Sequence, residues 1–174
     1  MPSKKHKTKS PILQVFLLSV LSIFILFILV AGFSIHQQAQ PDYLDLPPIK
    51  VEEGIPYFEL EHIEYFFKGL KFYKLHSNLF DLQPAKVKLV IFDSNQVFYA
   101  TFTSNFFKVG EEATFDDPDL VIYLKGKTLV NIIQDVDNLG LIHKLIEQGD
   151  IRLNYNSNKF TLFMKGFHAT HLKP

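Results

Sequence analysis

Residues Ile12 to Ile35 read ILQVFLLSVLSIFILFILVAGFSI, and none of these 24 positions is charged. As a helix rising 1.5 Å per residue the run would be ~36 Å long, enough to cross a ~30 Å hydrocarbon core with some tilt. Its only polar side chains are Gln14, Ser19, Ser22 and Ser34, and a serine hydroxyl can bond back to its own helix. A cleaved leader has a shorter apolar core, about 7–15 residues, followed by a small-x-small cleavage site. The IHQQAQP that follows this run has no such pattern. A buried core helix would carry one polar face, and this one does not. The expectation is a transmembrane signal anchor at 12–35.

Charge asymmetry orients it. Lys4, Lys5, Lys7 and Lys9 precede the run, with His6 among them, and the next cation is Lys50. The positive-inside tendency places 1–11 in the cytoplasm as a basic tail and the chain from 36 onward outside it. The expected localisation is therefore the cell membrane, single-pass, with the C-terminal domain extracytoplasmic. Four lysines beside a span are explained by topology and anionic lipid, so membrane lipid is an expected partner and nucleic acid is not.

The net charge is zero, from 18 basic and 18 acidic residues, but that balance averages unlike segments. Beyond the span 14 basic residues face all 18 acidic ones, a net of −4. On that average an acidic domain would be repelled by an anionic bilayer and reach lipid only through its tether or by apolar contact. Hydrophobic residues make up 47% of the chain, which excludes a disordered class. No cysteine is present, so disulfides, thiolate metal sites and cysteine nucleophiles are excluded.

Residues 36–56 carry Pro41, Pro47, Pro48 and Pro56 and read as an extended Pro-rich linker, its leucines free to pack on a domain edge instead. Residues 57–174 read as one α+β domain. Leu60, Ile63, Phe67 and Leu70, widened by Phe66, predict a helix. KVKLVIF and QVFYATFTSNFF, with the turn Asp93-Ser94-Asn95 between them, predict a hairpin. After a turn at Asp116–Asp119, Leu120 to Leu124 predict a strand apolar on both faces. Thr128 is the expected cap of a helix bearing Leu129, Ile132, Ile133 and Val136, and LIHKLIEQG a second helix ended by Gly149. Ile151 to Tyr155 and KFTLFMKGF predict a closing hairpin around Asn156-Ser157-Asn158. The fold class expected is an N-terminal transmembrane helix, then a mostly antiparallel sheet of about five strands covered by helices on one face.

The run DPDLVIYLKGKTLVNII…GLIHKLIEQGDIRLNYNSNKFTLFMKGF resembles the C-terminal half of a sterol-carrier-protein domain. Asp119, Leu120, Ile122, Leu129, Ile132, Gly149, Ile151 and Leu153 stand where that pattern wants them, and the resemblance extends over roughly residues 60–167. It implies a five-stranded sheet with helices on one side, enclosing an apolar tunnel for a lipid, a fatty-acyl chain or an isoprenoid. Fourteen Phe and seven Tyr beyond the span suit an apolar pocket. The candidate lining residues are Phe98, Phe102, Phe106, Phe107, Phe115, Phe160, Phe163 and Met164. The same rings can fill a solid core, which would make this an anchored interaction or scaffold domain.

Catalytic signatures are missing. The chain has no G-x-G-x-x-G, P-loop, G-x-S-x-G or H-E-x-x-H. His168 and His171 read as a frayed tail rather than a metal site, and Asp116, Asp117 and Asp119 as a turn rather than a calcium loop. The expectation is a binding protein that is not an enzyme and has no metal or cofactor.

Overall fold

The computed structural model describes residues 20–22, 46–136 and 138–172. The chain divides into two units, Met1–Gln37 and Gln38–Pro174. The basic tail, the expected span at 12–35 apart from its helical residues 20–22, and the first ten linker residues lie outside the described residues. No helix among the described residues is long and apolar enough to cross a membrane.

The second unit is α+β. Its sheet has five strands: β3 (Ala85–Ile91), β4 (Gln96–Phe102), β5 (Phe107–Gly110), β6 (Leu120–Leu124) and β7 (Ile151–Tyr155), in the order β5-β4-β3-β6-β7. Three pairings are antiparallel, and β3 with β6 is parallel. The predicted 87–102 hairpin is present, with Val87 opposite Ala100 and Leu89 opposite Phe98. Asn95 takes the positive φ of 55° that its turn needs, a conformation asparagine tolerates better than most residues.

Alternation assigns the sheet's faces. Ala85, Val87, Leu89 and Ile91 are fully buried, whereas Lys86, Lys88 and Val90 between them are only half-buried. Pairing carries the inner face across to Phe98, Ala100 and Phe102, and to Leu120, Ile122 and Leu124. Helices α1 (Leu60–Gly69), α2 (Gly126–Gln134) and α3 (Leu139–Glu147) add Ile63, Phe66, Phe67, Leu129, Ile132, Ile142 and Leu145 to that one core. The fifteen large apolar side chains so buried contribute on the order of 1.5–3 kcal/mol each against chain entropy.

Four expectations are corrected here. The linker reading fails from Lys50 onward, where β1 (Lys50–Glu52) and β2 (Ile55–Tyr57) pair about a Glu53-Gly54 turn with φ of 51° and 83°. Leu46 and Ile49 before them pack on the core, as the edge alternative required. Thr128 caps nothing. Helix α2 begins two residues earlier, at Gly126, whose N–H donates to Asp93 Oδ1 at 2.8 Å from the β3–β4 turn. KFTLFM is a helix, α4 (Lys159–Met164), because the Asn158 side chain accepts the Thr161 N–H at 2.9 Å and starts a helical turn. Finally the His168–His171 stretch is packed rather than frayed: Phe167, Thr170 and Leu172 are buried, and the His171 N–H donates to Leu70 O.

Two histidine and tyrosine anchors fasten the ends of the unit. His62 Nδ1 accepts the Glu59 N–H at the start of α1, so its Nε2 is the donor to Pro47 O at 2.8 Å. The Tyr155 hydroxyl donates to Leu172 O at 2.7 Å, and burial pushes its pKa from 10.0 up to about 12. Between those values the unfolded chain has lost the phenolic proton and the folded chain still holds it. Stability from this group is intact below pH 10 and falls as pH rises toward about 12. Tyr155→Phe is expected to flatten the fall in Tm between those two pH values. A wild-type slope in the variant would contradict it.

Candidate functional site

At one end of the sheet a polar cleft of about 470 Å³ is lined by residues from the loop before β3, the loop before β6, and α4. Asp119 lies at its base with 3% exposure and Lys165 with 5%. Lys165 Nζ donates to both carboxylate oxygens of Asp119, at 3.0 and 2.9 Å. Ser157 Oγ donates to Oδ1 at 2.6 Å and the Lys86 N–H to Oδ2 at 2.8 Å. The Asp119 backbone closes the arrangement, its N–H donating to Lys86 O and its carbonyl accepting from Asn156. Thus β3, β6, the β7–α4 turn and the end of α4 meet on one carboxylate.

This geometry ties elements of the fold together. A serine activated for attack needs a base free to take its proton. Here the acceptor is a carboxylate already shared with an ammonium. At the cleft's mouth Lys86 Nζ reaches Asp117 at 2.8 Å and holds that exposed carboxyl below its ordinary range, by a direct hydrogen bond first and by charge second.

The lip of the cleft is apolar. Phe80 and Phe160, chain neighbours of the lining residues Asp81 and Thr161, stack with ring centroids 6.3 Å apart and are 76% and 63% exposed. Leu79, Leu82 and Phe163 are also exposed, and Phe163 stacks on His168 at 4.7 Å. Helix α4 explains the grouping. A strand would have sent Phe160 and Phe163 to opposite faces, whereas positions three apart share one helical face. Leu162 is turned into the core instead. The helix ends at Gly166, whose φ is 84° and whose missing Cβ would come within 2.7 Å of Lys74 O. That approach seats α4 against the short 3-10 turn Phe72–Lys74.

The eight candidate residues fall into separate places. Phe98 and Phe102 are core, and the Phe102 ring packs on Phe67, Phe72 and Phe107 at 5.6–5.7 Å. Phe107 is half-buried at the edge strand, and Lys68 Nζ lies 5.8 Å from its ring. Phe106 is exposed in the β4–β5 turn. Phe115 packs edge-on against Tyr99, on the sheet's outer face. Phe160, Phe163 and the half-buried Met164 belong to α4. The structure therefore stacks Phe160 on Phe80, sets Phe163 one helical turn further on, and does not unite the eight. Leu79, Phe80 and Leu82 escaped the sequence reading, although three large apolar residues in five positions before Pro84 were a visible signal. No group of metal-ligating side chains occurs among the described residues.

Capping by Asn158 sets how the lip is presented. Asn158→Ala is expected to destabilise α4 by about 1 kcal/mol and to speed amide exchange across 160–165, with β3 amides unchanged. Unaltered exchange in α4 would contradict the capping role.

No family model matches the chain, and no curated protein does. Among solved structures it is similar to the stereoselective inverting sec-alkylsulfatase Pisa1 from Pseudomonas sp., at 19% identity over 48% of this chain and 13% of that one, with a TM-score of 0.35. A double mutant of the sec-alkyl sulfatase PisA1 gives 18% identity over 64% of this chain and 18% of that one, with a TM-score of 0.38. The UbiJ-SCP2 ubiquinone synthesis protein gives 14% identity, 52% and 70% coverage, and a TM-score of 0.36. The chain spans less than a fifth of the sulfatases' length. Likenesses at these TM-scores bear on neither activity nor ligand.

Proposed function

We propose that this chain is a membrane-anchored, non-enzymatic protein whose domain binds lipid or another long apolar chain at the lip formed by Leu79, Phe80, Leu82, Phe160 and Phe163. The observation that carries the reading is the exposed Phe80–Phe160 stack, flanked along the chain by exposed Leu79 and Leu82 and one helical turn on by exposed Phe163, on a folded unit that buries so many others. Exposed apolar clusters rimmed by polar groups mark contact with membranes, partners or apolar ligands. The uncharged run at 12–35 supplies the anchor in this reading and places lipid within reach. The resemblance to sterol-carrier-protein domains points to the same ligand class. Binding at the lip needs no charged contact, since each buried methylene contributes ~0.8 kcal/mol.

The reading is tested by mass spectrometry of lipid retained by the purified full chain. Retained acyl lipid, depleted in a Phe80→Ser, Phe160→Ser variant, is the expected result; a wild-type chain free of lipid would overturn it. Protease protection on sealed vesicles tests the orientation, for which a domain sheltered on the cytoplasmic side is the contrary result.

One observation favours a second reading, an anchored interaction domain with a solid core. Phe66, Phe67, Phe72, Phe98 and Phe102 are all at most 1% exposed, and the rings of Phe66, Phe67, Phe72 and Phe102 pack on one another. In that case the lip would meet a protein, and no lipid would co-purify.

A further inference from the structure

We infer that the outer face of the sheet is a docking surface for an anionic bilayer. Its occupant is set by charge. The five strands β3 to β7 contain four cations and no acidic residue, although the chain carries 18 acids. By the strand register all four cations, Lys86, Lys88, Lys108 and Arg152, stand on the face turned away from the core. Tyr99 and Tyr123 lie between them on the same face, Tyr123 opposite Arg152. Lys86 is committed to Asp117, whereas Lys88, Lys108 and Arg152 form no ion pair among the described residues. Lys88 Nζ sits 5.4 Å from the Tyr99 ring centroid.

The face interleaves lysine, arginine and tyrosine, with Phe115 packed on Tyr99. It suits the headgroup layer of a membrane, where cations meet phosphate and tyrosine rings sit at the polar–apolar boundary. Five strands about 4.8 Å apart present a face roughly 19 Å across, wide enough to meet several lipids. The inference departs from the expectation drawn from net charge. The unit as a whole is acidic, but no acid stands in the five strands β3 to β7, whose only charged residues are the outward cations. The inference rests on the anchored reading for the nearness of a bilayer.

The chain has no cysteine, so Asn154→Cys on the exposed outer face accepts a single dye. The labelled full chain is combined with phosphatidylcholine vesicles, alone or with about 30% phosphatidylglycerol, and dye access is read with the neutral quencher acrylamide. Quenching several-fold weaker in the anionic vesicles is expected, with the difference lost at about 1 M salt, where screening falls to about 3 Å. Each cation near such a surface contributes about five-fold, so Lys88→Glu with Arg152→Glu is expected to lower docking at least ten-fold. The salt arm needs no variant and holds if that double replacement misfolds. Equal quenching in the two vesicle types would overturn the inference. So would protection given by a single-stranded oligonucleotide but not by anionic lipid. Flotation separates the two readings. A chain that does not float with phosphatidylcholine vesicles sinks the anchored reading, and docking is then scored by flotation with the anionic ones.

Discussion

Asp119→Ala is expected to lower the stability of the unit by about 3–5 kcal/mol, because it leaves the buried Lys165 ammonium without its counter-ion. Folded domains have about 5–15 kcal/mol in total, so the variant stands near unfolding at physiological temperature. The loss is not that of one contact. Ser157 Oγ and the Lys86 N–H also lose their acceptor, and the β7–α4 turn is released with them. If the cost is chiefly the stranded charge, then adding Lys165→Met, which removes the ammonium and keeps most of the volume, recovers part of what Asp119→Ala loses. A double variant less stable than Asp119→Ala alone, in thermal unfolding followed by circular dichroism, would contradict that. It would mean that the lysine's packing matters more than its charge.

Replacing Phe80 and Phe160 together by Asp is expected to abolish lipid binding while leaving the unit folded. Both rings stand largely in water, at 76% and 63% exposure, and surface replacements of this kind shift stability by about 0.5 kcal/mol or less. Binding responds differently. Burying a phenylalanine side chain is worth about 1.5–3 kcal/mol, so losing two lowers partitioning by a hundred-fold or more. Two carboxylates at an apolar contact add a desolvation penalty. Measured side by side, lipid retention and Tm are expected to separate. A parallel fall in both would instead make the lip a part of the core's packing.

Much of the fold could be read directly from residue patterning. In AKVKLVI the lysines alternate with buried aliphatics, so period, faces and hairpin partner follow from one run. The helices at 60–69 and 126–134 likewise announce themselves by the spacing of Ile63, Phe67, Leu129, Ile132 and Ile133. KFTLFM was illegible for a physical reason. Six residues are too few for a period to speak, and Phe and Thr favour strands. The outcome was decided by the Asn158 cap and by Lys165 reaching a carboxylate 46 positions earlier. Such a pairing is non-local and leaves no pattern in the chain. Phe98 and Phe102 carry the complementary lesson. Alternation tells which way a ring points, and nothing about whether the space it enters is hollow or filled. Net charge is an average in the same sense, since −4 says nothing of a five-stranded sheet whose only charged residues are cations.

The central claim is that the exposed aromatic lip meets acyl chains, and the absence of tryptophan makes it directly measurable. In the Phe160→Trp full chain the introduced indole is the sole one. Its fluorescence is read in vesicles whose lipids are brominated along the acyl chain. The account predicts a blue-shifted emission strongly quenched by the bromines. A water-like emission that brominated lipid leaves unchanged would contradict it.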